Sequence, residues 1–117
     1  YAAIENVYFA NHYSTKDSNE KVQNFIKNYK EKYNDEPSAF SALSYDAYVC
    51  AIKAIEAAQS TDGEKIKEAL KGVAFDGITG HISFDENGDA NKTLAFIKTV
   101  KDGKFELLTT TTVDTGK

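Results

Sequence analysis

The stretch Gly77-Ile-Thr-Gly-His-Ile-Ser-Phe-Asp-Glu-Asn-Gly-Asp89 carries the deciding pattern of this chain. It predicts a strand, a tight Asn87-Gly88 turn and a polar exit. Asn-Gly supplies the two positive-φ residues that a type I′ hairpin turn demands. The acids also invite a calcium reading, since Asp85, Asn87 and Asp89 have the spacing of the first three side-chain ligands of an EF-hand loop. The remainder of such a loop is missing: Ala90 stands where glycine is required, and Phe96 where the closing bidentate acid belongs. A turn is therefore expected, and no metal ligand is assigned.

Upstream of this hairpin the period changes from two to 3.6. Asn6-Val-Tyr-Phe-Ala10 predicts a short strand. Asp17, with Glu20 three residues on, predicts a capped helix start. Val22, Phe25, Ile26, Tyr29 and Tyr33 follow as one helical stripe, expected to face a core. Asn34-Asp-Glu-Pro37 ends that helix. Ser38 to Ala58 is the most apolar segment; Leu43, Val49, Ile52 and Ile55 spread around the cylinder, predicting a helix buried on more than one side. A third helix carries Ile66, Ala69, Leu70 and Val73, with Gly72 as its C′ stop. Downstream, His81–Phe84, Thr93–Val100 and Lys104–Thr112 read as strands, with Asp102-Gly103 as a second two-residue hairpin turn.

The order is strand, three helices, then antiparallel strands, an α/β class. As an independent domain, the first strand and the last hairpin would have to form a small sheet covering the three helices. That leaves the apolar middle helix short of partners, so the pattern reads as part of something larger. The chain opens at Tyr1 without Met or a signal peptide, which also reads as an excised piece. Its 117 residues suffice for one modest core, and no apolar run is long enough to cross a bilayer.

Net charge is −4, and all 14 basic residues are lysine. That balance leaves no footprint for a nucleic-acid partner, and the piece supplies no guanidinium fork for a carboxylate or phosphate. Cys50, the single cysteine, sits in the apolar run Ala47–Ile52 and reads as a small buried hydrophobe. His12 and His81 have neither metal-ligand nor triad spacing. Ser14 and Ser83 lack a nucleophile elbow. No catalytic residue and no cofactor are assigned.

Three groups of residues together resemble type I periplasmic binding proteins, in particular the branched-chain amino-acid (Leu/Ile/Val-type) substrate-binding proteins of ABC transporters. The first is Phe25-x3-Tyr29-x3-Tyr33 followed by Pro37 and Ala39-Phe40. The second is Ser44-Tyr45-Asp46-Ala47, expected to open an alanine-rich helix. The third runs from Phe75 and Gly77 through Thr79-Gly80-x-Ile82-Ser83-Phe84-Asp85 to Gly88-Asp89 and ends with Asp102-Gly103-Lys104-Phe105. The resemblance covers about Ile4 to Leu108; His81 stands where the family often has proline.

The resemblance implies the C-terminal part of a two-lobe fold whose ligand lies between lobes joined by crossing strands. Residues 1–12 and 93–117 would be second-lobe and crossing strands, and 13–92 first-lobe helices. It implies an extracytoplasmic solute-binding protein, serving an amino-acid ABC importer through its membrane permease. The location implied is the periplasm or a Gram-positive cell surface; the lysine-rich, arginine-free composition suggests the second, as a lipoprotein anchored through an upstream segment. A ligand-sensing receptor ectodomain of the same fold is the second reading, and a small non-ligand interaction domain the third.

Phe40 matches the family position where an aromatic side chain packs on the ligand's side chain; the competing role is an anchor for the helix start in the core. Tyr13 and Tyr45 lie near the inferred crossings, where they line the cleft rim or brace the hinge, bracing being the preferred role. Asp46 is expected in a first helical turn, as a structural cap more than as an ammonium ligand.

Overall fold

The computed structural model describes residues 2–113. After a short 3-10 turn at Ala2–Ile4, the chain forms β1 (Tyr8–Asn11), α1 (Glu20–Tyr33), α2 (Ala39–Ala58) and α3 (Gly63–Leu70). Five further strands follow: β2 (Phe75–Gly77), β3 (Gly80–Phe84), β4 (Ala90–Asn91), β5 (Leu94–Lys101) and β6 (Lys104–Thr112). Two antiparallel sheets result, in the orders β1-β5-β6 and β2-β3-β4. The first is the expected small sheet of the opening strand and the last hairpin. The second was not fully expected: the sequence reading placed no strand at Phe75–Gly77 or at Ala90–Asn91.

The elements fall into two bodies. One holds β1, β5 and β6; the other holds the three helices with β2, β3 and β4. Among the described residues, extensive packing between elements occurs only within each body. The first sheet therefore does not cover the helices in the way an independent domain would need. A cluster of Tyr13, Val22, Ile26, Ala42 and Ile78 ties α1 to α2 and to the β2–β3 turn. A second cluster of Cys50, Ala54 and Val73 packs α2 against α3 and the small sheet. Cys50 is buried as expected, and that burial pushes its thiol pKa up.

The helix ends follow from local chemistry. Asn19, not Asp17, caps α1: its side chain accepts from the Lys21 N–H at 2.9 Å. Asp17 Oδ1 instead accepts from the Asn19 N–H at 2.9 Å and holds the cap residue in place. Asn34 ends the helix in the left-handed region, at φ 52°. Ser38 and Ser41 form a reciprocal capping box at the start of α2. Helix α2 thus opens at Ala39, and Ser44-Tyr45-Asp46-Ala47 lies within it. After α3, Lys71 remains helical. Gly72 stands at the stop position without a left-handed φ, its N–H bonding to the Ala69 carbonyl at 3.1 Å in a tightened last turn.

Two further expectations are corrected. The stripe on α1 is inward only at its beginning: Val22 and Ile26 are buried, whereas Tyr33 is 57% exposed. On α2 the buried positions are Ala42, Asp46, Cys50 and Ala54, one every fourth residue, so a single face is covered. Tyr45, Tyr48 and Ile52 lie exposed on the rest of the cylinder.

The two hairpin turns differ. Asp102-Gly103 has φ of 49° and 72°, the two positive values of a type I′ turn. At Asn87-Gly88 only Gly88 is positive, at 87°. The turn lies one residue earlier, closed by the Gly88 N–H on the Asp85 carbonyl at 3.0 Å, with the Asp85 N–H returning to the Asp89 carbonyl at 2.9 Å. Asp85 Oδ1 accepts from the N–H groups of Asn87 and Asp89, both at 2.9 Å. That Asx turn holds Asn87 at negative φ and gives Gly88 the left-handed place.

Candidate functional site

The capping box fixes the first turn of α2 and presents Phe40 from it. Its side chain is 81% exposed, so it does not anchor the helix start in the core formed by the described residues. An exposed aromatic on a rigid helix start offers contact area at little entropic cost to an apolar group that reaches it.

Beside it, α1 and α2 leave an open groove of about 1080 Å³. Its lining includes the aromatic residues Phe25, Tyr29 and Tyr33 from α1 and Tyr45 and Tyr48 from α2, beside charged Glu20, Lys21 and Lys32. The rings form a connected series, with centroids 5.3 Å apart for Phe25–Tyr45, 6.0 Å for Phe25–Tyr29 and 4.6 Å for Tyr29–Tyr33. Tyr45 lines this groove, but Phe40 and Tyr13 do not. The three residues singled out from the sequence are therefore not gathered around one cavity.

Tyr13 lies in the core at 2% exposure. Its hydroxyl has no hydrogen-bond partner among the described residues. Burial, helped by the charge of Glu36, pushes its pKa up to about 12. Residue and setting together describe a packing element beside the chain's passage from β1 into α1.

The best-built polar constellation surrounds Asp46. Expected to sit in a first helical turn, Asp46 lies two turns into α2 and is 3% exposed. It caps no helix, because Ser38 already fills that role. Its carboxylate accepts from the Ile78 and Thr79 N–H groups, each at 2.8 Å, and from the Thr79 hydroxyl at 2.6 Å. These bonds capture the β2–β3 turn. Lys92 Nζ then donates to Thr79 Oγ1 at 2.6 Å and to the Thr79 carbonyl at 3.3 Å. Burial lowers the Lys92 pKa, and the nearby Asp46 charge opposes that shift. Gly77 is required beside the carboxylate: a Cβ there would meet both Asp46 oxygens at 2.6 Å.

Sequence reasoning missed this network. One signal was available, since Asp46 falls in helical phase with Ala42, Cys50 and Ala54 and so belongs to their buried face. The histidines lie apart: His81 Nδ1 is 2.7 Å from Asp76 Oδ1 across β2–β3, and His12 Nδ1 is 3.0 Å from the Leu94 carbonyl.

A helical body with its own small sheet, joined by two chain passages to a separate antiparallel sheet, is the arrangement that comparison with known proteins assigns to a family. The chain belongs to the periplasmic binding protein family, whose model matches residues 1–104. Its fold is part of the two-lobe type I architecture, as the solved relatives show. A leucine-binding protein from Thermotoga maritima is 43% identical with a TM-score of 0.79, covering 93% of this chain and 31% of that one. A branched-chain amino-acid transporter substrate-binding protein from Streptococcus pneumoniae, solved in complex with isoleucine, is 33% identical. Its TM-score is 0.74, over 93% of this chain and 30% of that one. A leucine-, isoleucine-, valine-, threonine- and alanine-binding protein from Pseudomonas aeruginosa is 38% identical over 69 residues, 59% of this chain and 18% of that protein. The chain thus spans less than a third of the length of these relatives.

Proposed function

We propose that this chain is the C-terminal part of an extracytoplasmic substrate-binding protein of an ABC importer, which captures a branched-chain amino acid between two lobes by hinge closure. The observation that carries this reading is the 43% identity to a leucine-binding protein over 93% of the chain. In this reading the protein binds and releases its solute without chemistry, and a membrane permease recognises the closed form. An upstream lipid anchor holds it at the cell surface.

Residues 1–12 and 93–117 then belong to the second lobe and its crossing strands, and 13–92 to the first lobe. Phe40 is the residue placed against the solute's apolar side chain; its 81% exposure at a capped helix start supports that role. The burial of Tyr13 and the ring contact of Tyr45 with Phe25 support hinge bracing for both.

Calorimetric titration of the two-lobe protein with leucine, isoleucine and valine tests the assignment. Saturable binding of at least one is expected. Absence of binding to all three, with saturable binding of a different solute class, removes the branched-chain assignment.

A further inference from the structure

The chain passes between the two bodies twice, through residues 12–19 and through Lys92-Thr93. The second passage is only two residues long, and its residues are held on opposite sides. Lys92 is fastened to the helical body by its two bonds to Thr79, which Asp46 in turn holds. Thr93 is fastened to the sheet body, its carbonyl accepting from the Val113 N–H at 2.8 Å.

The first passage changes sides just as abruptly. His12 is tied to the start of β5 through Leu94. Tyr13, the next residue, is packed in the core of the helical body with Val22, Ile26, Ala42 and Ile78.

We infer that Lys92 is a positioning residue that confines bending between the two bodies, at their second passage, to the Lys92–Thr93 link. The inference rests on the reading of binding by hinge closure and deepens it. Rotation between bodies is absorbed by a few backbone dihedrals at element ends. With Lys92 pinned, the free rotations are those of the Lys92–Thr93 link itself. Without the pin, bending spreads back toward β4. The solute-free protein then samples more orientations, and closure must restrict them, which lowers apparent affinity.

The test uses the two-lobe protein in a Cys50→Ala background, with spin labels introduced through Lys67→Cys on α3 and Glu106→Cys on β6. Lys92→Met removes both bonds to Thr79 while keeping the stem; Lys92→Arg retains donors. The label distance distribution in the solute-free protein is expected to widen for Lys92→Met and to stay narrow for Lys92→Arg. Leucine affinity should fall three- to tenfold for Lys92→Met, and the solute-bound distance should match wild type. A Lys92→Met protein that melts lower but keeps the wild-type distribution and affinity overturns the inference and leaves Lys92 a stability residue. So does a Lys92→Arg variant as broad as Lys92→Met. The closure reading fails separately: it falls if leucine leaves the wild-type label distance unchanged, whereas the latch is judged on the solute-free distributions.

Discussion

The two faces of α2 present opposite solutions to the same helix. One carries Ala42, Asp46, Cys50 and Ala54: three small side chains and one carboxylate, all buried. The other carries Tyr45, Tyr48 and Ile52, all exposed, and Phe40 projects from its first turn. The small face is complete within this chain. Small residues admit close neighbours, and the one charge is met by three donors. The aromatic face keeps large apolar area exposed. Its composition suits surfaces contributed from elsewhere, a second wall or a solute. Small and satisfied thus marks structure here, and large and open marks area that the described residues leave uncovered.

Removing the carboxylate should break the small face most severely. Asp46→Ala leaves two buried N–H groups and a hydroxyl without an acceptor and deprives Lys92 of its nearby counter-charge. A loss of about 3–5 kcal/mol is expected, on the scale of a broken buried polar network. Urea unfolding measures it; a loss below about 1 kcal/mol would mean that water reaches the β2–β3 turn.

Gly77→Ala attacks the same contact from the other side. The added methyl needs the space of a carboxylate that three bonds hold in place. Overpacking of this kind costs about 1–3 kcal/mol. Because both substitutions act through one contact, their effects should be less than additive. Full additivity in the double variant would show that Gly77 is needed for a reason other than Asp46.

On the open face the expected effect is on affinity. In the two-lobe protein, Phe40→Ala should weaken binding of an apolar amino acid by about 1–3 kcal/mol, the scale of one buried apolar side chain. The melting temperature should hardly move, because the ring is mostly exposed. A large melting loss with unchanged affinity would replace the proposed solute contact of Phe40 with a structural role.

The contrast also explains what was legible in the sequence. Turns and helix ends are local: Asp102-Gly103 and Asn34 could be read from their own dihedral needs, although the helix caps fell at Asn19 and Ser38 instead of Asp17 and Asp46. The Asn87-Gly88 turn slipped by one residue because the preceding Asp85 offers a competing acceptor, a preference as local as the Asn-Gly signal itself. The small sheet at Phe75–Gly77 and Ala90–Asn91 was not legible, because strands of three and two residues carry no period. The Asp46 network was hidden for another reason. Its partners are backbone N–H groups 32 and 33 residues away, and backbone donors have no sequence signature. The exposed Phe40 could be proposed only through family resemblance, since periodicity alone makes every aromatic on an apolar helix a core residue.

Tyr13 tests the comparison with the smallest expected effect. It packs beside Ala42 on the small face, yet its hydroxyl breaks the rule that this face is satisfied. Tyr13→Phe should therefore be neutral or stabilising, by up to about 1 kcal/mol at pH 7, since it deletes a desolvated group without leaving a partner orphaned. Alkaline pH should magnify the difference. Below the ordinary tyrosine pKa of 10.0 both folded and unfolded chains keep the proton. Between there and about 12 the unfolded chain ionises while the folded one does not, so folding stability falls as pH rises. The Phe variant has no such group and loses less. Wild-type and variant unfolding curves should diverge across that window, after their shared lysine titrations cancel in the comparison. Parallel curves would place the hydroxyl in contact with solvent. A variant less stable than wild type at pH 7 would show that the hydroxyl has a partner outside the described residues.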